Sequence, residues 1–225
     1  MHEQATSGLF ITLEGVEGSG KTTQAPHLVA FLKSRGYQVV RTREPGGTGM
    51  GKRIRSILLD PESAGMEPLA ELLLYEADRA QHIRRVILPA LSAGQAVVCD
   101  RFYDATAAYQ GYARGLDLEL VEHLNGIAAG SLVPDITILL DLPARVGVPR
   151  ARSREGRGFR DHGREGRFEA ESLEFHEKVR EGYLALAVKH PERFVVIRAD
   201  QDTESVRSDI MRAVEEYLEN RAAAT

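Results

Sequence analysis

Short apolar runs alternate with longer amphipathic stretches along this chain. Leu9-Phe10-Ile11-Thr12-Leu13 reads as a buried strand. Thr22 to Arg35 carries Leu28, Phe31 and Leu32 at helical spacing and stops at Gly36, where a left-handed residue is least strained. Gln38 to Thr42 reads as a second strand, followed by a glycine-rich loop from Glu44 to Gly49 and a helix through Ile54, Ile57 and Leu58. Pro68 to Ser92 is a long helical pattern that includes Leu72, Ile83, Ile87 and Leu91. Ala96-Val97-Val98-Cys99 is a third strand, ending at Asp100-Arg101, with more helix between Asp104 and Ala129. Ile136 to Leu140 is a fourth strand, ending at Asp141; Phe194 to Ile197 is a fifth; Thr203 to Leu218 is a closing helix.

Strands separated by helices cannot be joined by hairpins. They need crossovers, which predicts an α/β fold with a five-stranded parallel sheet flanked by helices on both faces. Ligands of such sheets bind beyond the carboxyl ends of the strands. One segment breaks the pattern: Arg150 to Arg167 holds seven arginines separated by glycines and serine, and reads as a flexible basic excursion.

Composition narrows the class. The 225 residues suit one domain, or one domain with an insertion, and 43% hydrophobic residues suffice for a sizeable core. A net charge of -4 gives no global reason to expect nucleic acid or an anionic membrane as partner. The single cysteine, Cys99, excludes an internal disulfide and reads as a buried thiol in a reducing compartment. No apolar stretch reaches the roughly 18 residues of a membrane span. The N-terminus lacks a signal peptide's apolar segment, so a cytoplasmic location is expected.

The chemistry sits at the ends of the strands. Gly15-Val16-Glu17-Gly18-Ser19-Gly20-Lys21-Thr22 matches G-x-x-x-x-G-K-[ST] between a strand and a helix. Backbone N–H groups of such a loop converge on phosphate oxygens at a helix N-terminus. Lys21 can reach the outer phosphates and Thr22 can ligate Mg²⁺, with Thr23 beside it. Asp100 follows an apolar strand and could hold Mg²⁺ directly or through water. Glu14, at the end of the first strand, could serve the same ion from further out or cap a buried backbone group. GTPases need an Asn-Lys-x-Asp motif, and neither Asn125 nor Asn220 begins one. A small P-loop chain with a mobile basic segment suits a small-molecule kinase, which must close over both substrates to exclude water.

From Leu9 to Leu218 the sequence resembles bacterial thymidylate kinases. The matching blocks are Phe10 through Gln24, Thr42-Arg43-Glu44-Pro45-Gly46-Gly47-Thr48, Ala77-Asp78-Arg79-Ala80-Gln81-His82, and Asp100 through Asp104 running into Ala108-Tyr109-Gln110-Gly111. The resemblance implies a P-loop nucleoside monophosphate kinase domain over residues 9–219, with a mobile lid at about 150–168 and flexible ends at 1–8 and 220–225. It implies transfer of the ATP γ-phosphoryl group to dTMP with Mg²⁺, in a homodimer. By the same resemblance Glu17 accepts from the acceptor's 3′-hydroxyl, Arg101 holds its phosphate, and Arg43 and Arg55 lie around the acceptor nucleotide. Tyr75, where the family usually has phenylalanine, stacks on the base, and Arg79 reaches a base carbonyl. Thr106, Tyr109 and Gln110 follow at the family's spacing. Gln110 has a donor and an acceptor for a pyrimidine edge, and Tyr109 fills the space a 2′-hydroxyl would need. The loop itself carries no arginine, so the transition-state charge falls to the lid, with Arg150, Arg152 and Arg154 as candidates. Gly166 precedes Arg167-Phe168-Glu169 where the family has aspartate, and the lid is longer than usual.

Overall fold

The structure is a computed structural model that describes residues 8–155, 166–168 and 170–223; the side chains of Arg154 and Glu155 also lie outside the described set. Its elements, in chain order, begin with β1 (Leu9–Glu14), α1 (Lys21–Ser34), β2 (Val39–Arg43) and α2 (Gly49–Leu59). Next come α3 (Pro68–His82), which passes through a π-helical turn (Ile83–Ile87) into α4 (Leu88–Ser92), and β3 (Ala96–Asp100). After α5 (Tyr103–Thr106) a π-helical stretch (Ala107–Ala113) follows, then α6 (Leu118–Ala129) and β4 (Ile136–Asp141). The chain then forms α7 (Ala144–Glu155), α8 (Leu173–Lys189), β5 (Phe194–Arg198) and α9 (Thr203–Ala223).

The five strands form one parallel sheet in the order β2-β3-β1-β4-β5. The chain leaves β1 toward β2 and leaves β3 toward β4, so the connections diverge at the centre of the sheet and open a crevice at the strands' carboxyl ends. Alternation along the strands divides the core. Leu9, Ile11 and Leu13 of β1 share one cluster with Leu28 and Leu32 of α1 and with Ile210 and Val214 of α9. Phe10 joins Ile83, Ile87, Leu91, Val97, Cys99 and Phe102 in a second. Thr12, also fully buried, donates to Thr137 at 3.0 Å. Arg193 makes a buried two-pronged contact with Asp104, at 2.7 and 2.8 Å, and also donates to Thr137. That guanidinium joins α5 to the far edge of the sheet.

Each strand runs one residue past the end its sequence pattern predicts, to Glu14, Arg43, Asp100, Asp141 and Arg198. Backbone pairing continues after the hydrophobic signal stops, because the ladder depends on main-chain groups and the end side chains face the crevice mouth. Asp141 receives Arg180 of α8 in a fork of 2.6 and 2.9 Å. Cys99 is fully buried, its thiol donating to the Arg101 carbonyl at 3.0 Å.

Three expectations are corrected. α9 continues to Ala223, so residues 220–223 are helical rather than a flexible tail. Gly8, placed in the flexible extension, is buried, and its carbonyl accepts from Arg221 at 2.8 Å. The basic segment expected to be flexible from Arg150 to Arg167 starts inside α7, and Arg167 and Phe168 at its other end are buried. The arginines between residues 156 and 165 lie outside the described residues.

Candidate active site

The phosphate loop hangs from the end of β1. Gly18 adopts φ 74°, and a Cβ there would lie 2.1 Å from the Gly147 carbonyl oxygen. In turn a Cβ on Gly147 would lie 2.3 Å from the Glu17 carbonyl oxygen. The loop and the first turns of α7 thus touch backbone to backbone, which two glycines permit. Lys21 turns back over the loop, donating to the Gly15 and Val16 carbonyls at 2.8 and 3.0 Å. Burial, and then the charge of Arg101, lower its amine to about 8. Thr22 is exposed in the first turn of α1 and Ser19 is buried against the loop.

Arg101 organises the crevice. It is a non-glycine residue at φ 70°, a strained conformation that aims its side chain back across β1. Its Nη1 donates to the Gly15 carbonyl at 3.1 Å and the Tyr183 hydroxyl at 2.9 Å. Its Nη2 donates to Glu17 at 2.7 Å and the Tyr109 hydroxyl at 2.9 Å. The guanidinium also lies 4.9 Å from the Tyr109 ring centroid. Burial opposes ionisation of Glu17, but Arg101, Lys21 and a hydrogen bond from Tyr109 outweigh it and hold the carboxyl down at about 2. Glu17 is therefore a fixed anion inside an anion-binding loop, tied to the residues opposite.

Glu14 takes the capping role. Its two oxygens accept from the Phe102 N–H and the Tyr183 hydroxyl, each at 2.7 Å, and it is fully buried. Burial, followed by the charge of Asp104, pushes its carboxyl up to about 8. These bonds use it inside the protein rather than toward an ion.

Arg79 is almost wholly buried and donates four times: to Glu44 at 2.9 Å, Glu76 at 2.7 Å, Asn125 at 2.8 Å and Thr106 at 2.7 Å. A guanidinium has five N–H groups, so one Nη2 hydrogen is left over from these four bonds. Glu44 also bonds His82 at 2.8 Å, and His82 reaches Thr42 at 2.6 Å. Asp78 receives the Gly46 N–H at 3.2 Å, with burial and then Glu44 raising its carboxyl to about 6. The block Asp78-Arg79…His82 and the block Glu44-Pro45-Gly46-Gly47 are therefore two halves of one clamp. A Cβ on Gly47 would lie 2.4 Å from the His82 ring. Arg55 supports the same loop from α2, donating to the Pro45 carbonyl at 3.0 Å. Arg43 ends β2 opposite Asp100 in the ladder.

Gln110 is buried and donates to Glu71 at 2.7 Å. Tyr75 packs against the core between these groups, half-buried. Tyr109 is boxed by Phe168, Phe175 and Tyr183, with ring centroids 5.6, 6.1 and 6.4 Å away. Phe175 and Tyr183 come from α8, which the sequence reading passed over. Ser172 as N-cap and the spacing of Phe175, Val179, Tyr183 and Leu186 would have marked that helix. Arg150 is exposed and donates to the Ala199 carbonyl at 3.3 Å, away from Lys21's bonds. The side chain of Arg154 lies outside the described residues.

The crevice therefore brings Glu17, Arg101 and Tyr109 together at the phosphate loop, and Arg79, Thr106 and Gln110 along α3. A sequence profile of the thymidylate kinase family matches residues 13–210. The chain is 57% identical over 207 residues to the thymidylate kinase of Desulfosudis oleivorans, covering 92% of this chain and 96% of that one. It is 52% identical over 216 residues to the thymidylate kinase of Desulfovibrio desulfuricans, covering 95% and 98%. The crystal structure of thymidylate kinase from Ehrlichia chaffeensis superposes with a TM-score of 0.72 at 35% identity, covering 92% of this chain and 98% of that one. Fold, crevice and sequence converge, and the chain belongs to the thymidylate kinase family.

Proposed function

We infer that this protein transfers the γ-phosphoryl group of ATP to dTMP, giving ADP and dTDP, a step toward dTTP. The observation that carries the reading is Glu17: a loop carboxylate held ionised and bonded to Arg101 and Tyr109. A donor-only loop has no use for that anion. A loop that also places an acceptor sugar does, because its hydroxyl can donate to it. Gly15 through Thr23 bind the ATP phosphates, with Lys21 leaving the loop carbonyls for the outer phosphates. Arg101 binds the acceptor phosphate with its planar fork. Tyr75 stacks on the base, Arg79, Thr106 and Gln110 face its edge, Tyr109 lies under the deoxyribose, and Arg43 and Arg55 border the acceptor. Arg150 or Arg154 brings positive charge to the transferring group when the lid closes.

The donor set fits Mg²⁺. Thr22 is exposed in the first turn of α1, and Asp100 ends β3 in register with Leu13 of β1, next to where the phosphate loop begins, which supports these two as hard oxygen ligands. Among the described residues no group of three or more His, Cys, Asp or Glu is arranged to hold a metal ion by itself. Such an ion would neutralise the β and γ oxygens.

A homodimer is proposed from three neighbouring helices. Met50 and Ile57 on α2, Leu69 and Leu73 on α3, and Leu120 and Ile127 on α6 are exposed apolar side chains, each pair at same-face spacing. α2 packs on α3 and α3 on α6, so the pairs extend one apolar surface suited to a second copy. Sedimentation at micromolar concentration should give twice the chain mass. No helix among the described residues is long and apolar enough to cross a membrane, and a cytoplasmic location is proposed. An ADP-release assay across dTMP, dUMP, CMP, AMP and thymidine tests the activity; a strong preference for any acceptor but dTMP overturns it.

A further inference from the structure

Between α3 and the helical stretch of residues 103–113, two side-chain rungs cross the same gap. Near the start of α3, Glu71 accepts from Gln110 Nε2 at 2.7 Å. Eight residues later, Arg79 donates to Thr106 at 2.7 Å. Tyr75 lies four residues from each of Glu71 and Arg79, on the same helix face, so its ring sits between the rungs. Gln110 and Thr106 are themselves four apart. The two rungs and the ring frame one slot.

Glu71 is fully buried and held on several sides. Arg167 reaches it at 2.6 Å, and Arg114 reaches both of its oxygens at 3.3 and 3.4 Å. Glu171 in turn holds Arg114 at 2.7 Å. A carboxylate only accepts hydrogen bonds, so the Gln110 amide must turn its NH₂ toward Glu71, and the planar amide then turns its carbonyl oxygen the other way. The opposite rung has the reverse polarity. One Arg79 Nη2 hydrogen is uncommitted, and Thr106, already accepting, has its hydroxyl hydrogen to donate. An acceptor therefore stands next to donors across the tyrosine.

We propose that Glu71 is a positioning residue that fixes the orientation of the Gln110 amide and so makes the slot selective for a pyrimidine with N3–H beside a 4-carbonyl over one with a bare N3 beside a 4-amino group. This rests on the assignment of Tyr75, Arg79 and Gln110 to the acceptor base. The first kind of base offers its donor to the Gln110 carbonyl and its acceptor to Arg79. The 4-amino kind reverses both, setting acceptor against acceptor and donor against donor in a buried site. Unpaired buried polar groups are the strongest basis for rejecting a near-isosteric ligand. Because Arg167 stands at the end of the lid segment and bonds Glu71, that end braces the base reader.

The test is Glu71→Gln. A neutral amide offers Gln110 either a donor or an acceptor, so Gln110 is free to turn over. The ratio of kcat/KM for dTMP over that for dCMP should fall about tenfold or more, with dCMP turnover rising relative to dTMP. A ratio that stays constant while both activities fall together would reduce Glu71 to a purely structural role. Arg167→Met removes a brace but keeps the carboxylate, so it should keep the ratio within about twofold while lowering stability; an equal loss of selectivity there overturns the proposal. A measurement on the unaltered protein stands apart from variant folding. With ¹⁵N-labelled glutamine, the Gln110 side-chain NH₂ should be protected from exchange before dTMP is added and keep its resonances afterwards. An NH₂ that shifts strongly on dTMP binding donates to the base, which refutes the orientation. Absence of dTMP preference in the unaltered protein instead defeats the assignment of the slot itself.

Discussion

Replacing Gly147 by alanine separates two opposed effects. Within a helix, alanine is favoured over glycine by about 1 kcal/mol. The new methyl would lie 2.3 Å from the Glu17 carbonyl oxygen, about 1 Å short of ordinary contact, with Leu142 Cδ2 at 3.3 Å and Val16 Cγ2 at 3.5 Å behind it. Backbone meets backbone here, so the phosphate loop or the first turns of α7 must move. Overpacking of this kind costs about 1–3 kcal/mol, which leaves a net destabilisation of about 0–2 kcal/mol. Activity should suffer more, because a loop displaced by about 1 Å can cost on the order of 100-fold in kcat/KM. Thermal unfolding and an ADP-release assay read the two quantities. Gly126→Ala is the control: it lies in α6, a Cβ there meets nothing within 4 Å, and it should gain stability with unchanged turnover. If Gly147→Ala also melted higher, with full activity, the tight seat of the loop on α7 would be disproved.

Other outcomes follow from the buried charges and rings. Lys21 is lowered to about 8 by burial and then Arg101, so the folded protein loses this proton well below the unfolded chain's value of about 10.4. Its contribution to stability therefore rises from pH 8 upward while its cation fades, and KM for ATP should climb above pH 8; a flat KM to pH 9.5 contradicts this. Glu14, raised to about 8, keeps its proton where the unfolded chain has released it above about 4.3, so stability falls between those two values. Glu14→Gln should remove that slope, melting as the parent does at pH 4 and higher at pH 8.5; identical slopes would count against it. Phe168→Ala should cost about 3–4 kcal/mol in denaturant titrations, since the ring is buried against Tyr109; a loss below about 1 kcal/mol would mean no packing there. Arg154→Ala should lower kcat by about 1,000-fold with little change in dTMP affinity, and the reverse pattern in single-turnover and binding assays would remove it from catalysis.

Much of the architecture was legible because it rests on local signals. Apolar runs located all five strands, and the glycine spacing located the phosphate loop. The ends of the strands were read one residue short, since Glu14, Arg43 and Asp100 extend a backbone ladder that has no hydrophobic signature. What stayed hidden was partnership between distant polar groups. Nothing in the spacing of Asp78, Arg79 and His82 announces that Glu44 and Gly46 are their partners. Arg167 and Phe168 read as the end of a basic excursion because the arginine-rich composition runs up to them, yet both are buried, one against Glu71 and one against Tyr109. The helix Leu173–Lys189 was missed beside that excursion, although its cap and apolar spacing were present.

The fourfold engagement of Arg79 has a bearing on how such an enzyme can change over evolutionary time. One side chain holds the loop after β2, its own helix, α6 and the stretch at Thr106 together. Drift at this position would loosen four segments before it could explore a new acceptor, so mutational paths toward another base are barred there by loss of the fold. The open paths run through Tyr75, which is only half-buried, and through the Glu71–Gln110 pair, where one exchange alters polarity with little change in volume. Natural variation in acceptor choice among close relatives should accumulate at those positions, while Arg79 stays constant.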